Sequence, residues 1–237
     1  MEVVNTFTYA GTSSRAYGIL IDSHTAYGAP DRDYETVEVP GRNGTLTVDN
    51  GRYQNVDVTY HCGIGVGFHE KYNQFKAWLM SKIGYQRLED TYHPEHYRMA
   101  RVKSAPSPEY YRKGKSGTFD VVFDCKPQKF LKSGETQQTF NSSGSITNPT
   151  PYIALPLVRV YGTGTLTIGS NTIVINSASS YTDLDCDIQD AFRGAINCNG
   201  NITLRSGSFF ELLPGSNTVS MGSGISQVRI TPRWWIL

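Results

Sequence analysis

Hydrophobic and polar residues alternate over short stretches of this chain, and turn residues separate these stretches. The alternation is clear at 37–39, just before Pro40-Gly41, and at 56–60, after Asn50-Gly51. Residues 119–123 alternate in the same way. A period of two is typical of strands with one buried face, so the first half of the chain is predicted to contain an antiparallel sheet.

The dipeptide Asn50-Gly51 lies between two of the strand-like stretches, 45–48 and 53–60. Asn and Gly both tolerate the positive φ angles of a type I′ turn. The sequence therefore predicts a β-hairpin whose turn is Asn50-Gly51.

One segment, Glu70 to Ile83, follows a helical period, and Gly84 after it is predicted to stop the helix. An amphipathic helix of this kind is expected to pack across the sheet, which makes the first half an α+β domain. The stripe interpreted as its core face consists of Tyr72, Phe75, Trp78, Leu79 and Ile83.

The second half is predicted to contain short strands and no helix, and this pattern favours a β-sandwich or barrel. The predicted strands are 157–161, 165–168, 172–175, 181–185, 195–198, 202–205, 211–213, 218–221 and 227–232.

Charge is distributed unevenly between the halves. Residues 1–140 hold 17 of the 22 Lys and Arg residues and 16 of the 21 Asp and Glu residues. The change falls in a segment rich in Ser, Gly, Thr, Asn and Pro, which is typical of a connection between domains. We expect the boundary near Asn148, with domains 1–147 and 148–237.

The bulk composition excludes several functional classes. A formal net charge of +1 gives no long-range attraction for nucleic acids or acidic membranes. The sequence has no run of 18 apolar residues, and its start does not resemble a secretory signal. The four cysteines match no metal motif or disulfide framework, so they are expected to be buried small hydrophobes in a protein that folds in a reducing cytosol.

Motifs for catalysis are missing from the sequence: it has no G-x-S-x-G elbow, no P-loop and no dinucleotide-binding turn. We therefore expect no enzymatic activity and no cofactor. The run His93-Pro94-Glu95-His96 has the wrong spacing for a helical metal site and is interpreted as a turn. The acids at 183, 185, 187 and 190 leave two readings open, a Ca²⁺ site and a solvated strand edge protected by charge.

Short motifs occur in a defined order along nearly the whole chain. They are 39–44 (VPGRNG), 49–55 (DNGRYQN), 78–79 (WL), 85–88 (YQRL), Asp90, 97–100 (YRMA), 119–127 (FDVVFDCKP), 148–150 (NPT), a Pro156-centred strand leading to 161–162 (YG), and 212–217 (LLPGSN). In this order and separation they resemble the signature of the distal tail proteins of long-tailed siphophages.

The resemblance implies a non-enzymatic structural protein of the virion. Its N-terminal domain would form a ring, and its C-terminal domain would be a galectin-like β-sandwich. Six copies would surround the genome channel at the distal end of the tail, between the major tail-tube protein and the tail-tip hub protein, after assembly in the host cytoplasm. Tape-measure and receptor-binding proteins stay open as further partners, and no large insertion is present.

A closed ring needs one surface of each subunit to fit a different surface of the next, and an exposed hairpin suits this task. Pro40-Gly41 is expected to bend the chain into the hairpin. Arg42 is either a clamp on a neighbouring subunit or an intrachain brace of the turn, and Tyr53 is either an interface anchor or a core residue. Arg87 and Asp90 are placed where an exposed salt bridge between neighbours could tune the register. The expected interface residues are therefore Pro40, Gly41, Arg42, Asn50, Gly51, Tyr53, Arg87 and Asp90.

A second class of function remains open, a carbohydrate-binding module used for adhesion to the host surface. Sugar sites combine exposed aromatic rings with hydrogen-bonding side chains. Trp234-Trp235 could equally cap an interface between the domains. The candidates for sugar or cation contact are Tyr181, Asp183, Asp185, Trp234 and Trp235.

Overall fold

The computed structural model describes residues 5–25, 28–111 and 115–237. These residues form two compact units that meet in the sequence between Lys129 and Phe130. The boundary thus lies earlier than the position near Asn148 that composition suggested. Residues 138–148 are rich in small polar residues, as a linker would be, but they form strands that pair within the second unit.

The first unit contains an antiparallel sheet with the order β2-β1-β7-β8-β10-β6-β3, and β9 also pairs with β10. Its elements are β1 (Phe7–Tyr9), β2 (Thr12–Ser13), a 3-10 helix (Ser14–Tyr17), β3 (Leu20–His24), β4 (Arg32–Glu38), β5 (Thr45–Tyr53), β6 (Val56–Ile64), α1 (Phe68–Met80), β7 (Gln86–Asp90), β8 (His96–Val102), β9 (Pro108–Tyr111) and β10 (Ser116–Leu131).

Aromatic rings fill the core between this sheet and α1. Phe7 stacks on Tyr60 with ring centroids 5.2 Å apart, and Phe75 of the helix lies 5.6 Å from Phe119 of β10. Such pairs stabilise a core beyond the area that they bury. The alternating residues of β6 and β10 thus supply the buried face that their period predicted.

Helix α1 begins and ends slightly earlier than predicted, at Phe68 and Met80. The predicted stripe lies in the core up to Leu79, but Ile83 is outside the helix and 88% exposed. The residue that caps the end of the helix is Ser81, whose hydroxyl donates to the carbonyl of Trp78, so Gly84 is not its stop residue. A hydroxyl bonded to its own preceding turn competes with helix extension, and the apolar period did not reveal this.

Strands β4 and β5 form a separate two-stranded sheet. The predicted turn at Asn50-Gly51 is wrong, because β5 runs through both residues and its partner is β4. Residues 39–44 connect the two strands. Asn-Gly favours positive φ in a bulge as well as in a turn, so the dipeptide alone could not locate the reversal.

The second unit contains two stacked antiparallel sheets, β11-β21-β13-β16-β17-β18 and β12-β20-β14-β15-β19. Its elements are a 3-10 helix (Lys132–Glu135), β11 (Gln138–Phe140), β12 (Gly144–Asn148), β13 (Leu157–Gly162), β14 (Gly164–Ile168), β15 (Asn171–Ile175), β16 (Tyr181–Asp185), β17 (Asp190–Arg193), β18 (Ile196–Asn197), a 3-10 helix (Asn199–Asn201), β19 (Ile202–Leu204), β20 (Gly215–Met221), β21 (Ile225–Thr231) and β22 (Trp235–Ile236).

Buried side chains from both sheets form one apolar cluster, as a β-sandwich requires. Val158 and Val160 enter it from one sheet, and Leu166 and Ile168 enter it from the other. The predicted fold class, mainly β with one helix, is confirmed for the described residues.

Most predicted strands of the second half are present, and β22 (Trp235–Ile236) is an additional short strand that was not predicted. The predicted strand 211–213 is reduced to a single bridge between Leu212 and Ala154. Strand β17 was missed because its charged ends, Asp190 and Arg193, do not show an apolar period. Pairing with β16 and β18 supplies its backbone partners instead.

Within the part of the chain that the structure describes, no helix is long and apolar enough to cross a membrane.

Candidate subunit interface

The tip of the β4–β5 hairpin is a tight turn over residues 39–42. The N–H of Arg42 donates to the carbonyl of Val39 across 3.1 Å, with Pro40 and Gly41 between them. Gly41 has a φ of 81°, and a type II turn needs a positive φ at this position. Pro40-Gly41 therefore forms the tip of the hairpin and not, as expected, the bend that enters it. Among the described residues, no hydrogen-bond or ion-pair partner faces the Arg42 side chain. The structure therefore does not support Arg42 as an intrachain brace of the turn.

Asn50 and Gly51 lie in a bulge of β5. The register shifts where β4 passes from Asp33 to Tyr34, which leaves the Asn-Gly pair as extra residues of the longer strand. Gly51 has a φ of 72°, and its N–H donates to Oδ1 of Asp49 across 2.8 Å. Bulges bend and twist a strand, so these two residues shape the hairpin near its base.

One face of the hairpin carries apolar side chains that are open to solvent. Val37 lies directly opposite Leu46, so both side chains project from the same face. Val48 lies two residues further along β5, opposite Glu35, and Val39 follows directly after the end of β4. Their exposed fractions are 45% for Val37, 40% for Leu46, 36% for Val39 and 51% for Val48. Every residue of β4 and β5 is exposed apart from Asp33 and Tyr53, so no described element of the chain covers this face.

Ion pairs stiffen the base of the hairpin. Nε of Arg32 donates to both carboxylate oxygens of Asp49, at 2.9 and 3.2 Å, and its guanidinium lies over the Tyr53 ring. Nε of Arg52 donates to one carboxylate oxygen, Oδ2, of Asp33 at 2.5 Å. Hydrogen bonds from Arg32 and from a backbone N–H lower the pKa of Asp49, and Arg52 lowers the pKa of Asp33. Tyr53 is therefore part of this base and not of the core.

A second polar network joins the end of the hairpin to the main sheet. Asn55 lies between β5 and β6, and its Nδ2 donates to Oδ1 of Asp124 at 2.8 Å and to the hydroxyl of Tyr85 at 2.7 Å. The Tyr85 hydroxyl donates to Asp124 Oδ2 at 3.1 Å, and Nε of Arg101 donates to the same oxygen at 2.7 Å. The Asp124 side chain is only 10% exposed.

Arg87 and Asp90, both on β7, were expected to form a salt bridge between neighbouring subunits, and both have partners within the chain. Nε of Arg87 bonds Glu89 at 2.5 Å, and its guanidinium lies 3.8 Å from the centre of the Tyr97 ring. The Asp90 side chain is 8% exposed and accepts a hydrogen bond from the Tyr60 hydroxyl at 2.7 Å. Leu88 is buried, and Asp90 lies two residues further along the same strand. Alternate residues of a strand project from the same face, so Asp90 also faces the interior.

Two of the four clustered acids of the sandwich, Asp183 and Asp185, are each held by an arginine, whereas Asp190 accepts a hydrogen bond from Asn199 at 2.6 Å. Asp183 forms two hydrogen bonds with Arg159, at 2.7 and 2.8 Å, and Asp185 forms two with Arg233, at 2.6 and 2.8 Å. Tyr181 lies beneath the Arg159 guanidinium at 4.1 Å. A Ca²⁺ site was one interpretation of these acids because neighbouring carboxylates repel each other. Arg159 and Arg233 relieve that repulsion at Asp183 and Asp185 without a metal ion. In the described ranges, no group of three His, Cys, Asp or Glu side chains is arranged to hold a metal.

The two terminal tryptophans are also engaged within the second unit. Trp234 is 3% exposed and belongs to the sandwich core, so it is not available to stack on a sugar. Trp235 donates from Nε1 to the carbonyl of Ile153 at 2.8 Å and stacks on Tyr152 at 4.4 Å. Of the two candidates for sugar contact, Trp234 is therefore enclosed by the core, whereas Trp235 is half-buried.

Two features of the hairpin were missed by reasoning from the sequence. The apolar face could have been found, because Leu46 and Val48 alternate in step with Val37 and Val39. The network around Asp124 had no such signal, since Asn55 and Asp124 are 69 positions apart.

No family model matches the chain, and no curated protein matches it. Solved structures do resemble it. The Dit (gp 19.1) protein of phage SPP1, described as a paradigm of the hub adsorption apparatus in phages that infect Gram-positive hosts, matches with a TM-score of 0.75 at 12% identity, over 99% of this chain and 100% of that chain.

Two structures of the phage P2 baseplate in its activated conformation, with Ca and with Sr, also match. Each has a TM-score of 0.54 and covers 96% of this chain and 98% of the other, at 11% and 10% identity. The chain therefore has, over nearly its whole length, the fold of a phage hub and baseplate protein.

Proposed function

We propose that this protein is a structural subunit of a phage tail tip, in which six identical copies close into a ring between the tail tube and the tip hub. The ring surrounds the channel through which the genome passes. The protein carries out no reaction and uses no cofactor in this role.

The similarity to SPP1 Dit supports the proposal because it extends over both units. A match of 99% of this chain to 100% of that chain means that the whole architecture is shared and not one widespread domain. The order of sequence motifs that resembles the distal tail proteins is an independent argument for the same role.

The observation that carries the proposal is the uncovered apolar face of the β4–β5 hairpin. A two-stranded sheet with one exposed apolar face is marginal in water by itself and becomes stable when a further layer covers it. Full burial of an aliphatic side chain contributes about 1.5–3 kcal/mol, so burying the exposed parts of Val37, Val39, Leu46 and Val48 contributes several kcal/mol to each contact. A neighbouring copy in a ring provides this cover six times over.

The charge of the hairpin suits a repeated contact between identical chains. Arg32 and Asp49 neutralise each other, as do Asp33 and Arg52, so the base brings no net charge to the interface. The formal net charge of +1 for the whole chain likewise gives little repulsion between copies held side by side.

In this role the partners are a second copy of the chain, the major tail-tube protein on one side and the tail-tip hub protein on the other. The location is the distal end of the tail, reached by assembly in the host cytoplasm. Tape-measure and receptor-binding proteins are candidates for additional contacts.

Electron microscopy of tails that carry a peptide tag on this chain tests the proposal. We expect a six-fold collar of tag density at the distal end. Mass measurement of the purified protein, alone and mixed with tail tubes, then reports whether closure needs a template. Tails in which the tag is absent from that end, or is present in something other than a collar, would overturn the proposal.

A further inference from the structure

The direction in which the β4–β5 hairpin projects has to be set at its base. The residues of both strands lack a covering layer among the described elements, so packing along the hairpin does not hold it against the first unit. The chain leaves the hairpin at Tyr53 and enters β6 at Val56, with two residues between them. At its other end the hairpin follows β3 after a longer connection, from His24 to Arg32. The contacts of the short connection therefore act most directly on the angle of the hairpin.

The connection is closed by one backbone bond and one side-chain network. The N–H of Gln54 donates to the carbonyl of Asp31 at 2.8 Å, which ties the two ends of the hairpin together. Asn55 then bonds both Asp124 and Tyr85. The first contact holds the hairpin to itself, whereas the second holds it to the sheet.

The network around Asp124 is saturated. Both hydrogens of the Asn55 amide nitrogen have acceptors, and the Tyr85 hydroxyl accepts one bond and donates another. Asp124 comes from β10, Arg101 from β8, and Tyr85 from the segment between α1 and β7. The carboxylate thus joins three separate parts of the first unit to the exit of the hairpin.

We propose that Asp124 is a positioning residue that fixes the direction of the β4–β5 hairpin through Asn55. This inference deepens the proposed function and rests on it for its biological meaning. The carboxylate has two oxygens and receives three donors, from Asn55, Tyr85 and Arg101, so no neutral side chain of the same size satisfies all three. Hydrogen bonds to a charged group are also stronger than those to a neutral one, which makes the junction stiff.

The substitution Asp124→Asn tests the proposal, because the amide keeps the shape but replaces one acceptor oxygen with a donor. Asn55→Ala removes the same link from the other side, and the double variant should be no worse than either single variant. The matched control is Asp57→Asn. Asp57 lies directly opposite Asp124 in the β6–β10 register, but it is half exposed and pairs with Lys103 at the surface.

The measurement is a distance distribution between two spin labels, one at Asn43 near the hairpin tip and one at Asn73 on α1. Both positions are exposed, whereas the four natural cysteines are buried. In monomeric protein we expect Asp124→Asn and Asn55→Ala to broaden the distribution roughly twofold, and Asp57→Asn to leave it as it is. Should Asp124→Asn fail to fold, Tyr85→Phe removes a single hydroxyl of the same network and takes its place.

An unchanged width in Asp124→Asn or Tyr85→Phe would overturn the positioning role. The distance distribution is measured on the monomeric protein and does not require a ring. A failure of the positioning role can therefore be told apart from a failure of the proposed function. If the distribution broadens and these variants still build normal tails, the anchor stands, and the hairpin is not the ring contact.

Discussion

Val37 and Leu46 lie directly opposite each other on adjacent strands of the hairpin, and both side chains stay 40–45% exposed. A cross-strand apolar pair stabilises a sheet when a further layer covers it, and the described chain supplies no such layer. On the opposite face the equivalent position is a pair of threonines, Thr36 and Thr47. At this point along the hairpin, an apolar pair on one face thus adjoins a polar pair on the other. The same substitution can therefore be compared on the two faces.

Replacing Val37 or Leu46 by Asp should abolish incorporation into tails. In the ring the carboxylate would be buried without a partner, at a cost of several kcal/mol, whereas in the free chain it stays in water and changes the unfolding free energy by less than about 1 kcal/mol. Complementation of a phage lacking the gene measures assembly, and thermal melting checks the fold. Thr36→Asp and Thr47→Asp are the controls and should assemble normally. Infectious tails from Val37→Asp would contradict the assignment of the apolar face.

The substitution Gly41→Ala should loosen the hairpin without unfolding the first unit. A Cβ at Gly41 meets nothing within 4 Å, so its φ of 81° is the sole source of strain, and a left-handed residue costs about 1–2 kcal/mol for Ala. Amide exchange in β4 and β5 should become roughly 10-fold faster, while β6 and β10 keep their protection. Gly28→Ala is the control, because that glycine also has free space around it but lacks a positive φ. Equal exchange in the two variants would argue against a turn at this tip.

The helix core should be sensitive at Phe75 and insensitive at Ile83. Phe75 is fully buried, and truncation of a buried Phe to Ala costs about 3–5 kcal/mol through lost burial and the cavity left behind. Ile83 is 88% exposed, so Ile83→Ala should change the unfolding free energy by less than about 0.5 kcal/mol. Urea unfolding followed by tryptophan fluorescence measures both. Similar losses for the two variants would mean that α1 extends to residue 83, as the sequence pattern suggested.

The Asp185–Arg233 pair should make the sandwich sensitive to acid. Burial is the largest single effect and raises the pKa of Asp185, but the hydrogen bonds and charge of Arg233 and the backbone N–H groups of Asp187 and Ile188 together outweigh it, so the net pKa lies below the ordinary 3.8. The unfolded chain therefore binds a proton at a higher pH than the folded one. The stabilisation is fully present above 3.8 and is lost as the pH falls through the folded pKa.

Urea titrations of the native protein and of Asp185→Asn check this pH dependence. The difference in unfolding free energy between them should be constant from about pH 7 to about pH 5 and should shrink below about pH 4. Arg233→Gln should show the same profile as Asp185→Asn, since it removes the other half of the pair. A difference that grows towards acid pH would mean that burial, and not Arg233, dominates at Asp185.

The amino-acid sequence by itself determined the features that depend on short windows of residues. The period of two at 56–60 and 119–123 placed β6 and β10, and the helical period from Tyr72 to Leu79 placed α1. The same holds for most of the turn-rich second half, where strands such as β13–β16 show their own alternation and end at their own turn residues, with β17 as an exception. These patterns are set by the geometry of a strand or helix, so they do not depend on what the rest of the chain does.

Only the tertiary structure decided which strands pair and which side chains meet. Asn50-Gly51 is compatible with a turn and with a bulge, and the partner strand β4 decides between them. Asp183 and Asp185 looked like a cluster of uncompensated acids until the fold brought Arg159 and Arg233 to them. Asp124 and Asn55 are joined across 69 positions of sequence by pairing between β6 and β10. Long-range contacts of this kind depend on the register of the whole sheet, and no local period encodes that register.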